Sequence, residues 1–547
     1  MAFACFFTLL LSLTSLTTTL AGSVQKPELV LPPSAAGHRD DVRNIFIQSY
    51  NAYRKFAFGH DTLMPLTGKP DDGRNGWGAS IVDAMSTMRI MGLDDFFNEA
   101  VSFAEKIDFS KSQTPDPVSV FETTIRYLGG LLSAYELSGK QHPVLVEKAK
   151  QVADKMAFAW QKPNQKVPFG TLNFTTNRPN SIAGAGTLDL EWATLTKYTG
   201  NATYERLAVN TVRTIANNPA PLPALPAQVI NPKNGKPVGS KISWGGSSDS
   251  YFEYLIKYAR LSNTNDNLFA DNWATAVDSS IKFLLRESTV GNHVYLVDHY
   301  GTARHGRIDA VSSHLACFHG GNWIYGGRLL NNETIVNIGL ELADACWNTY
   351  ASTATGIGPE VFRFKTTIKS DQSNSLHLNR SQELFYEKHG FYITGSDYIL
   401  RPEVLESNFY AWRATGDTKY LDRAASAINS FNKFLVAKKT GGFAGLNNVD
   451  NPFQGKIDNT ESFWFAEVLK YLYLTFDDPK HISLDEYVFN TEAHPFIAPA
   501  PKAVYGSGKL LTPSDSFVPT EVDTPPPEIS PNKFLPIPLS KLLGPNQ

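Results

Sequence analysis

Several acidic residues of this 547-residue chain stand where helices are expected to begin. In "FETTIRYLGG", Glu122 precedes Arg126 by four residues, a spacing that places a carboxylate and a guanidinium on one helix face. In "RPEVLESNFY", Pro402 suits the first helical position, and Glu403 would lie at the positive end of the helix dipole. Taken singly, each is most simply a charge at a helix start. Comparable positions are held by Asp249 with Glu253, by Glu406, and by Glu360 after Pro359.

The same segments are flanked by large apolar residues that would draw the carboxylates toward an interior. A buried carboxylate costs free energy unless it is paired, hydrogen-bonded, protonated or bound to a cation. A cluster of carboxylates at the axis of a ring of helices would have all four options. Carboxylates of unequal pKa around one cavity suit glycoside hydrolysis, in which one protonates the leaving oxygen and another activates water.

The elements that must position these carboxylates are repeated helical hairpins. "FETTIRYLGGLLSAYELSGK" spaces its apolar residues by three and four positions and stops at Gly139. "LDLEWATLTKYTGNATYERLAVNTVRTIANN" predicts a helix to Tyr198, a turn at Gly200 and a second helix from about Thr203. "SNFYAWRATGDTKYLDRAASAINSFNKFL" repeats the plan around Gly416. Such hairpins need neighbours to bury their apolar faces.

Further helices are predicted in "WGASIVDAMSTMRIMGL", "DSYFEYLIKYARL", "NWATAVDSSIKFLLR", "NIGLELADACWNTY" and "ESFWFAEVLKYLYLTF". With so many helices and few strand patterns, the sequence predicts an all-α ring of hairpins over residues 34–496, and one large toroid is favoured over two domains. Residues 497–547 are rich in proline, so they are expected to be extended, lying on the body or partly disordered.

The N-terminal segment "MAFACFFTLLLSLTSLTTTLAGS" has the composition of a targeting sequence. It is apolar and ends in small residues, so residues 1–22 are predicted to be a signal peptide. It lacks a charged side chain before Lys26, and an uncleaved membrane anchor in the ER or Golgi stays the alternative. In either case the rest of the chain is predicted to lie in the lumen of the secretory pathway or outside the cell.

Two kinds of residue agree with that compartment. Cys5 belongs to the predicted signal, which leaves Cys317 and Cys346 as one possible disulfide or as two free buried thiols. Four sequons offer glycan acceptors at Asn173, Asn201, Asn332 and Asn379.

The charge balance argues against a nucleic-acid ligand. The formal net charge is −3 and the pI is about 6.5, whereas phosphate binding needs a concentrated basic surface. A neutral or weakly acidic ligand is therefore expected.

The acidic motifs, taken in order, resemble the successive signatures of the class I α-mannosidases, the calcium-dependent α-1,2-mannosidases that trim N-glycans. These segments are "SVFETTIRYLGGLLSAYELSG", "SDSYFEYLIKY", "HLACFHGGNWIYGG", "GIGPEVF", "YILRPEVLESNFYAWRATGD", "SFWFAEVLKYLYLTF" and "VFNTEAHPF". They follow the family order from about Ser49 to Phe496. The resemblance implies an (αα)7 barrel, an inverting mechanism, bound Ca²⁺ and high-mannose N-glycans of glycoproteins as substrate.

The resemblance also implies residue roles. Glu122 matches the proposed general acid, Asp249 a second catalytic carboxylate disputed for that role, and Glu403 the base that activates water. Cys317 and Cys346 match a family disulfide with the spacing of secreted fungal members. The sugar site would be lined by Arg126, His314, Glu360, Arg401, Glu406 and Glu467.

"YVFNTEAHPF" raises the question of the metal. Thr491 resembles the family's only direct protein ligand for calcium, through its backbone carbonyl and side-chain oxygen, while Glu492 and other acids would hold the waters of the ion. Without the resemblance, "NTE" followed by Pro495 is most simply a capped turn.

Substrate breadth is expected to depend on Ser247, two residues before Asp249. Family members that remove one specific mannose resemble one another in carrying Arg there, whose donors can fix one branch. The short Ser247, beside Gly245 and Gly246, predicts a broad-trimming enzyme, although these small residues also suit a turn before the helix. A monomer is expected.

Two other classes of protein share parts of this pattern. A non-catalytic mannose-binding relative would keep the barrel, but the proposed catalytic carboxylates and Thr491 are all present. A glucoamylase-like (αα)6 glycosidase would use similar carboxylates and would not account for "NTEAHP".

Overall fold

The computed structural model describes residues 22–160, 164–172, 180–512 and 517. Within these ranges the helices are, in chain order, α1 (Ala35–Ala57), α2 (Ala79–Ile90), α3 (Asp94–Ala104), α4 (Val120–Glu122), α5 (Gly129–Leu137), α6 (Pro143–Met156), α7 (Ile182–Gly186), α8 (Asp189–Thr199), α9 (Thr203–Ala216), α10 (Asp249–Ser262), α11 (Leu268–Phe283), α12 (Phe318–Leu329), α13 (Glu333–Ala351), α14 (Arg380–His389), α15 (Glu403–Thr415), α16 (Lys419–Phe434) and α17 (Leu469–Phe476). A π-helical turn, Thr123–Leu128, joins α4 to α5, and a second, Trp464–Val468, precedes α17.

Seven of these helices form an inner ring. In chain order they are α2, α5, α8, α10, α12, α15 and α17, and each packs against the next, with the turn before α17 returning to α2. Each inner helix also packs against an outer partner, respectively α3, α6, α9, α11, α13, α16 and α1. The all-α ring of helical hairpins is confirmed, and its seven pairs are those of an (αα)7 barrel.

The two rings differ in burial as their sequences require. α2 is buried almost all round, whereas α9 buries one stripe, including Tyr204, Leu207 and Thr211, at helical spacing. The predicted hairpin turns are also confirmed: Gly200 and Gly416 follow α8 and α15 with φ of 70° at both, the left-handed conformation that glycine adopts freely after a helix.

Each of the first six inner helices turns quickly into its outer partner, and α1, the outer partner of α17, leads into α2 through a long connection, so the inner helices run in the same direction. The long connections therefore gather at the face where the inner helices begin. These connections carry the short strands β1 (Thr62–Met64), β2 (Lys69–Asp71), β3 (Val118–Ser119), β4 (Thr171–Leu172), β5 (Asn180–Ser181), β6 (Val229–Ile230), β7 (Pro237–Val238), β8 (Lys241–Ile242), β9 (Leu285–Glu287), β10 (Val294–Leu296), β11 (Asp298–Gly301), β12 (Gly306–Asp309), β13 (Val311–Ser313), β14 (Val361–Arg363) and β15 (Tyr392–Gly395).

All strand pairing is antiparallel. The pairs are β1–β2, β3–β4 and β9–β10, and the three-stranded sheets have the orders β5–β6–β7, β12–β11–β8 and β13–β14–β15. The sequence indicated few strands because segments of two to four residues are too short for an alternating pattern to be read.

A last hairpin follows α17 and fills the ring from the opposite end. It consists of β16 (Tyr487–Phe489) and β17 (Pro495–Ile497), which contact α10 and α5. Its turn reaches the inner helices, where the Asn490 amide donates to the Ile125 carbonyl at 3.0 Å. Gly129 permits this approach, because a Cβ there would lie 2.6 Å from Asn490 Nδ2.

The described part of the proline-rich tail, as far as Thr512, lies on the body. Lys502 Nζ donates to the Thr264 carbonyl at 2.9 Å, and Leu511 N donates to Thr275 Oγ1 at 3.0 Å. Residues 1–21 of the predicted signal, and residues 513–516 and 518–547 of the tail, lie outside the described residues. No helix of the described ranges is long and apolar enough to span a membrane.

The cysteine pair forms a disulfide, as predicted, with an S–S distance of 2.02 Å between Cys317 and Cys346. Of the sequons, Asn173 lies outside the described residues. Asn332 and Asn379 are exposed and cap α13 and α14 through their carboxamide oxygens, and the Asn201 oxygen accepts the Thr203 N–H at 3.1 Å. These bonds leave the amide nitrogens, where a glycan would be attached, unused.

Candidate active site

Glu403 is the first residue of α15, at the face where the inner helices begin. Its Oε2 accepts a hydrogen bond from His314 Nδ1 at 2.8 Å, and Arg401 Nη1 lies 3.4 Å from its Oε1. Burial alone would raise the pKa of Glu403, but the His314 hydrogen bond and the Arg401 charge outweigh burial and place that pKa below its ordinary value. Glu403 is therefore ionised near neutral pH. The expected helical position of Pro402 was wrong by one residue, since Pro402 is the N-cap of α15.

Glu360 supports this end of the site from a strand. Its Oε2 accepts from Arg401 Nε at 2.6 Å and its Oε1 from the Ile399 N–H at 3.1 Å. Because Glu360 precedes β14, its assignment to a helix start was wrong. The sequence "GIGPEVF" resembled a helix start only through Pro359, and pairing with β13 and β15 decides the conformation of the segment.

Asp249 is the first residue of α10 and is half-buried at the same face. Burial raises the pKa of Asp249 to about 7, and the charges of Glu253 and Glu403 add to the effect. Glu403 and Asp249 thus lie on two inner helices with pKa values displaced in opposite directions. This is the acid and base pairing that glycoside hydrolysis requires.

Glu122 and Arg126 form the ion pair that their spacing predicts. Arg126 Nε donates to Glu122 Oε2 at 2.8 Å, across the π-helical turn after α4. π-Helical turns are common at functional sites. Burial would raise the pKa of Glu122, but the charges of Arg126 and Arg74 outweigh it and lower that pKa. Glu122 is therefore an anion in the free protein.

Arg126 also connects Glu492 with two residues, Asp83 and Ser462, that the sequence motifs did not indicate. Its Nη1 lies 3.4 Å from Asp83 Oδ2 and 3.2 Å from Ser462 Oγ, and it forms a short ion pair with Glu492. Asp83 is fully buried on α2. A carboxylate in the apolar helix "WGASIVDAMSTMRI" is the sequence signal that could have revealed it.

About one helical turn beyond Asp249 and Glu403 lies a second group of buried acids. Glu253 pairs with Lys257 on α10, and Glu406 accepts from the Tyr471 hydroxyl at 3.2 Å. Burial and the charge of Glu253 raise the pKa of Glu406 well above its ordinary value. Glu467, in the π-helical turn before α17, also has a strongly raised pKa, through burial and the neighbouring carboxylates. The axis of the barrel thus has an excess of carboxylates.

The turn of the last hairpin places Thr491 beside these acids. Asn490 Oδ1 accepts the N–H groups of Glu492 and His494 at 3.0 and 2.7 Å, so the segment is the capped turn expected from its sequence. The Tyr254 hydroxyl lies 3.3 Å from the Thr491 N–H, which directs this contact to the nitrogen rather than to an oxygen of Thr491.

The same hydroxyl connects Thr491 to Glu191, another residue that sequence reasoning missed. Tyr254 donates to Glu191 Oε1 at 2.6 Å, and Asn490 Nδ2 donates to the same atom at 2.7 Å. Glu191 Oε2 is buried with no hydrogen-bond partner among the described residues. Burial raises the pKa of Glu191 to about 8.

These residues fit a hard cation such as Ca²⁺, which prefers oxygen donors. The fit rests on the two Thr491 oxygens, the surplus of carboxylates and the orphaned Glu191 oxygen. Within the described ranges, no three His, Cys, Asp or Glu side chains are grouped as a metal cage.

Ser247 lies in the connection before α10, exposed, with a φ of 74°. Its carbonyl accepts the Ala183 N–H at 3.1 Å. A Cβ on Gly246 would meet nothing within 4 Å. Ser247 therefore lies in a turn before α10, and there is open space beside it at Gly246.

A ring of helical hairpins with oppositely shifted carboxylates at one end of its axis is the arrangement expected of a toroidal glycoside hydrolase. Comparison with known proteins agrees, since the model of glycosyl hydrolase family 47 matches residues 45–498. Mannosyl-oligosaccharide alpha-1,2-mannosidase 1B of Aspergillus phoenicis is 39% identical over 481 residues, covering 83% of this chain and 90% of the relative. Mannosyl-oligosaccharide alpha-1,2-mannosidase of Penicillium citrinum is 37% identical over 514 residues, covering 88% and 97%.

A solved structure, the alpha-1,2-mannosidase from Trichoderma reesei, superimposes with a TM-score of 0.80 at 35% identity, covering 85% of this chain and 99% of that one. The chain belongs to glycosyl hydrolase family 47 and is a glycoside hydrolase. The resemblance to the class I α-mannosidases is confirmed at the level of the family. Enzymes of this family are metal-dependent.

Proposed function

We propose that this chain is an inverting α-1,2-mannosidase that trims α-1,2-linked mannose from high-mannose N-glycans of glycoproteins. The observation that carries the proposal is the pair Asp249 and Glu403 at the same end of the barrel, because Asp249 keeps its proton up to a pH of about 7 while Glu403 is already ionised there. The names of the family 47 relatives support the linkage and the sugar.

In the proposed reaction, Glu403 takes a proton from a water molecule, whose oxygen forms the new bond to the anomeric carbon. Asp249 gives its proton to the glycosidic oxygen as the bond from that oxygen to the anomeric carbon breaks. Water and the leaving sugar lie on opposite faces of the ring, so the first product is β-mannose. Asp249 is preferred to Glu122 as the proton donor because Arg126 and Arg74 keep Glu122 ionised.

The remaining residues would bind the sugar at the −1 position and its neighbour. Arg126 and Arg401 supply cationic donors to hydroxyl oxygens, while the carboxylates accept from the hydroxyl groups. These carboxylates are Glu360, Glu406 and Glu467. His314 would act mainly through Glu403, since its Nδ1 is already committed to that residue.

Thr491 would hold a Ca²⁺ ion through its carbonyl and hydroxyl oxygens, with Glu492 and the other acids holding the surrounding waters. When bound, the ion would be coordinated by hydroxyl oxygens of the sugar and would thereby hold the sugar in place. The protein's part is to present Thr491 on a rigid turn. Asn490 fixes that turn through two backbone N–H groups.

The breadth of trimming is proposed to follow from Ser247. Its short side chain and the open space at Gly246 leave room for several branch orientations. All four α-1,2-linked mannoses of the nine-mannose glycan should be removed in succession, with α-1,3 and α-1,6 linkages untouched. The enzyme would work as a monomer in the secretory pathway or outside the cell, with residues 34–496 as the catalytic domain.

A time course on the nine-mannose glycan tests this function. The expected end product retains five mannoses. Accumulation of one eight-mannose isomer without further trimming would contradict the breadth, and no release of mannose would contradict the function. Ser247→Arg should shift the wild-type pattern toward the eight-mannose product, while Ser240→Arg, in the same connection, serves as the control.

A further inference from the structure

A buried chain of hydrogen bonds runs from an outer helix to the catalytic base. The hydroxyl of Tyr350, on α13, lies 2.7 Å from His314 Nε2, and His314 Nδ1 lies 2.8 Å from Glu403 Oε2. Both Tyr350 and His314 are buried, with exposed fractions of 0% and 1%. Water therefore has little access to replace either contact.

An ionised Glu403 and a neutral imidazole together assign the direction of the protons along this chain. An ionised carboxylate can only accept, so Nδ1 of His314 must carry the hydrogen. In a neutral imidazole the other nitrogen is then an acceptor, and the Tyr350 hydroxyl must donate to it. One proton on Tyr350 thus selects the imidazole tautomer that faces Glu403 correctly.

The covalent structure brings the two partners of this chain together. His314 lies three residues before Cys317, and Tyr350 lies four residues, about one helical turn, after Cys346. The disulfide between the cysteines holds their Cα atoms 5.9 Å apart. The His314 N–H also donates to the Glu360 carbonyl at 2.9 Å, so the histidine is fixed from two sides.

We propose that Tyr350 is a positioning residue, which holds His314 in the neutral Nδ1–H tautomer and thereby occupies Oε2 of Glu403. Oε1 is then the atom that takes the proton from water. Tyr350 touches neither sugar nor water in this scheme and acts only through His314. The inference rests on the proposed role of Glu403 as base and adds a residue that the sequence motifs did not indicate.

Other charges also act on Glu403. Arg401 favours its ionised form, whereas Glu406 on the same helix, Glu467 in the turn before α17 and Asp249 on α10 disfavour it. None of these four groups contacts the Tyr350 hydroxyl, whose other hydrogen-bonding neighbour is the Tyr398 hydroxyl. A change in the titration of Glu403 would therefore report the Tyr350 and His314 contacts.

The test compares Tyr350→Phe with Tyr325→Phe, using α-1,2-mannobiose. Tyr325 is a matched control, because its hydroxyl is buried without a hydrogen-bond partner among the described residues. Tyr350→Phe should lower kcat by about tenfold with KM changed by less than about twofold, the loss expected when one buried hydrogen bond in the reacting state is removed. The acidic limb of its kcat/KM profile should move to higher pH, because a less well-oriented imidazole stabilises the Glu403 anion less. Equal kinetics and profiles in the two variants would overturn the proposal.

A second readout does not depend on the reaction. In ¹⁵N-histidine NMR spectra, with the His314 signals assigned by their loss in His314→Asn, the wild type should show a protonated Nδ1 and an unprotonated Nε2. Tyr350→Phe should alter that pattern and Tyr325→Phe should preserve it. A doubly protonated or Nε2–H imidazole in the wild type would overturn the proposal. If the wild-type protein shows the expected tautomer but does not hydrolyse the disaccharide, the proposed function fails and the tautomer assignment stands.

Discussion

Asp249→Asn should abolish the alkaline limb of the pH–rate profile. In the wild type, burial places the pKa of Asp249 at about 7, against an ordinary value of 3.8. That difference of about three pKa units corresponds to about 4 kcal/mol in favour of the protonated form. At pH 6 about nine in ten molecules would carry the proton and at pH 8 about one in ten, whereas an unshifted aspartate would be protonated in fewer than about one in a thousand at pH 7.

The sign of the pH dependence follows from these populations. Protonated Asp249 is the active form, so kcat/KM should fall as pH rises through about 7. At the acidic end, kcat/KM should fall only below the lowered pKa of Glu403. The profile should therefore have a plateau on the acidic side of neutrality, between these two limbs.

The assay uses two substrates that differ in their need for an acid. On α-1,2-mannobiose, Asp249→Asn should lose about 10²- to 10⁴-fold in kcat, the usual contribution of a general acid. On α-mannosyl fluoride, whose leaving group departs without a proton, the variant should retain much of the wild-type rate and show no alkaline limb. Glu122→Gln is the matched variant and should retain the limb near pH 7.

Two results would refute this reasoning. One is an alkaline limb near pH 7 that persists in Asp249→Asn. The other is loss of the limb in Glu122→Gln instead, which would make Glu122 the proton donor.

Three further substitutions test the cation site, the buried ion pairs of Arg126 and the close approach of the last hairpin to α5. Thr491→Ala should weaken Ca²⁺ binding by about tenfold or more, because a direct ligand oxygen is lost; calorimetry after exhaustive chelation measures the affinity. Thr214→Ala, on α9, is the control. An unchanged Ca²⁺ affinity in Thr491→Ala would refute the assignment. Arg126→Ala should lower the free energy of unfolding by about 3–5 kcal/mol in a denaturant titration, because it leaves Asp83 and Glu492 buried without their cation. The control, Arg54→Ala, removes an exposed ion pair with Glu99 and should lower the free energy of unfolding by less than about 1 kcal/mol. Equal losses in the two variants would contradict the account. Gly129→Ala should lower the midpoint temperature of thermal unfolding, because its Cβ would lie 2.6 Å from Asn490 Nδ2. The control, Gly37→Ala, should leave the midpoint unchanged, because a Cβ there has nothing within 4 Å. An unchanged midpoint in Gly129→Ala would mean that the hairpin turn moves freely.

The helical hairpins could be predicted from sequence because each is a local pattern. Gly200 and Gly416 mark turns between apolar repeats, and the structure places helix ends beside both. The closing of the ring could not be predicted in this way. α1 packs against α17, although the two helices lie near opposite ends of the sequence of the barrel. Only the family resemblance implied that the ring has seven pairs of helices.

The residues of the site also divide into those fixed by local sequence and those fixed by contacts distant in sequence. Glu122 with Arg126 was predictable, since four residues along a helix fix their contact. Glu360 was misplaced because its conformation depends on pairing with strands distant in sequence. Asp83 and Glu191 were missed because their role appears only when the Asn490 turn enters the ring.

The most direct test of the central claim is proton NMR of the mannose first released from α-1,2-mannobiose. If water attacks from the face opposite the departing sugar, the β anomer should appear first and then mutarotate. Release should cease in Glu403→Gln, since no base would accept the proton from water. An initial α-mannose signal, or undiminished release by that variant, would contradict an inverting α-1,2-mannosidase with Glu403 as its base.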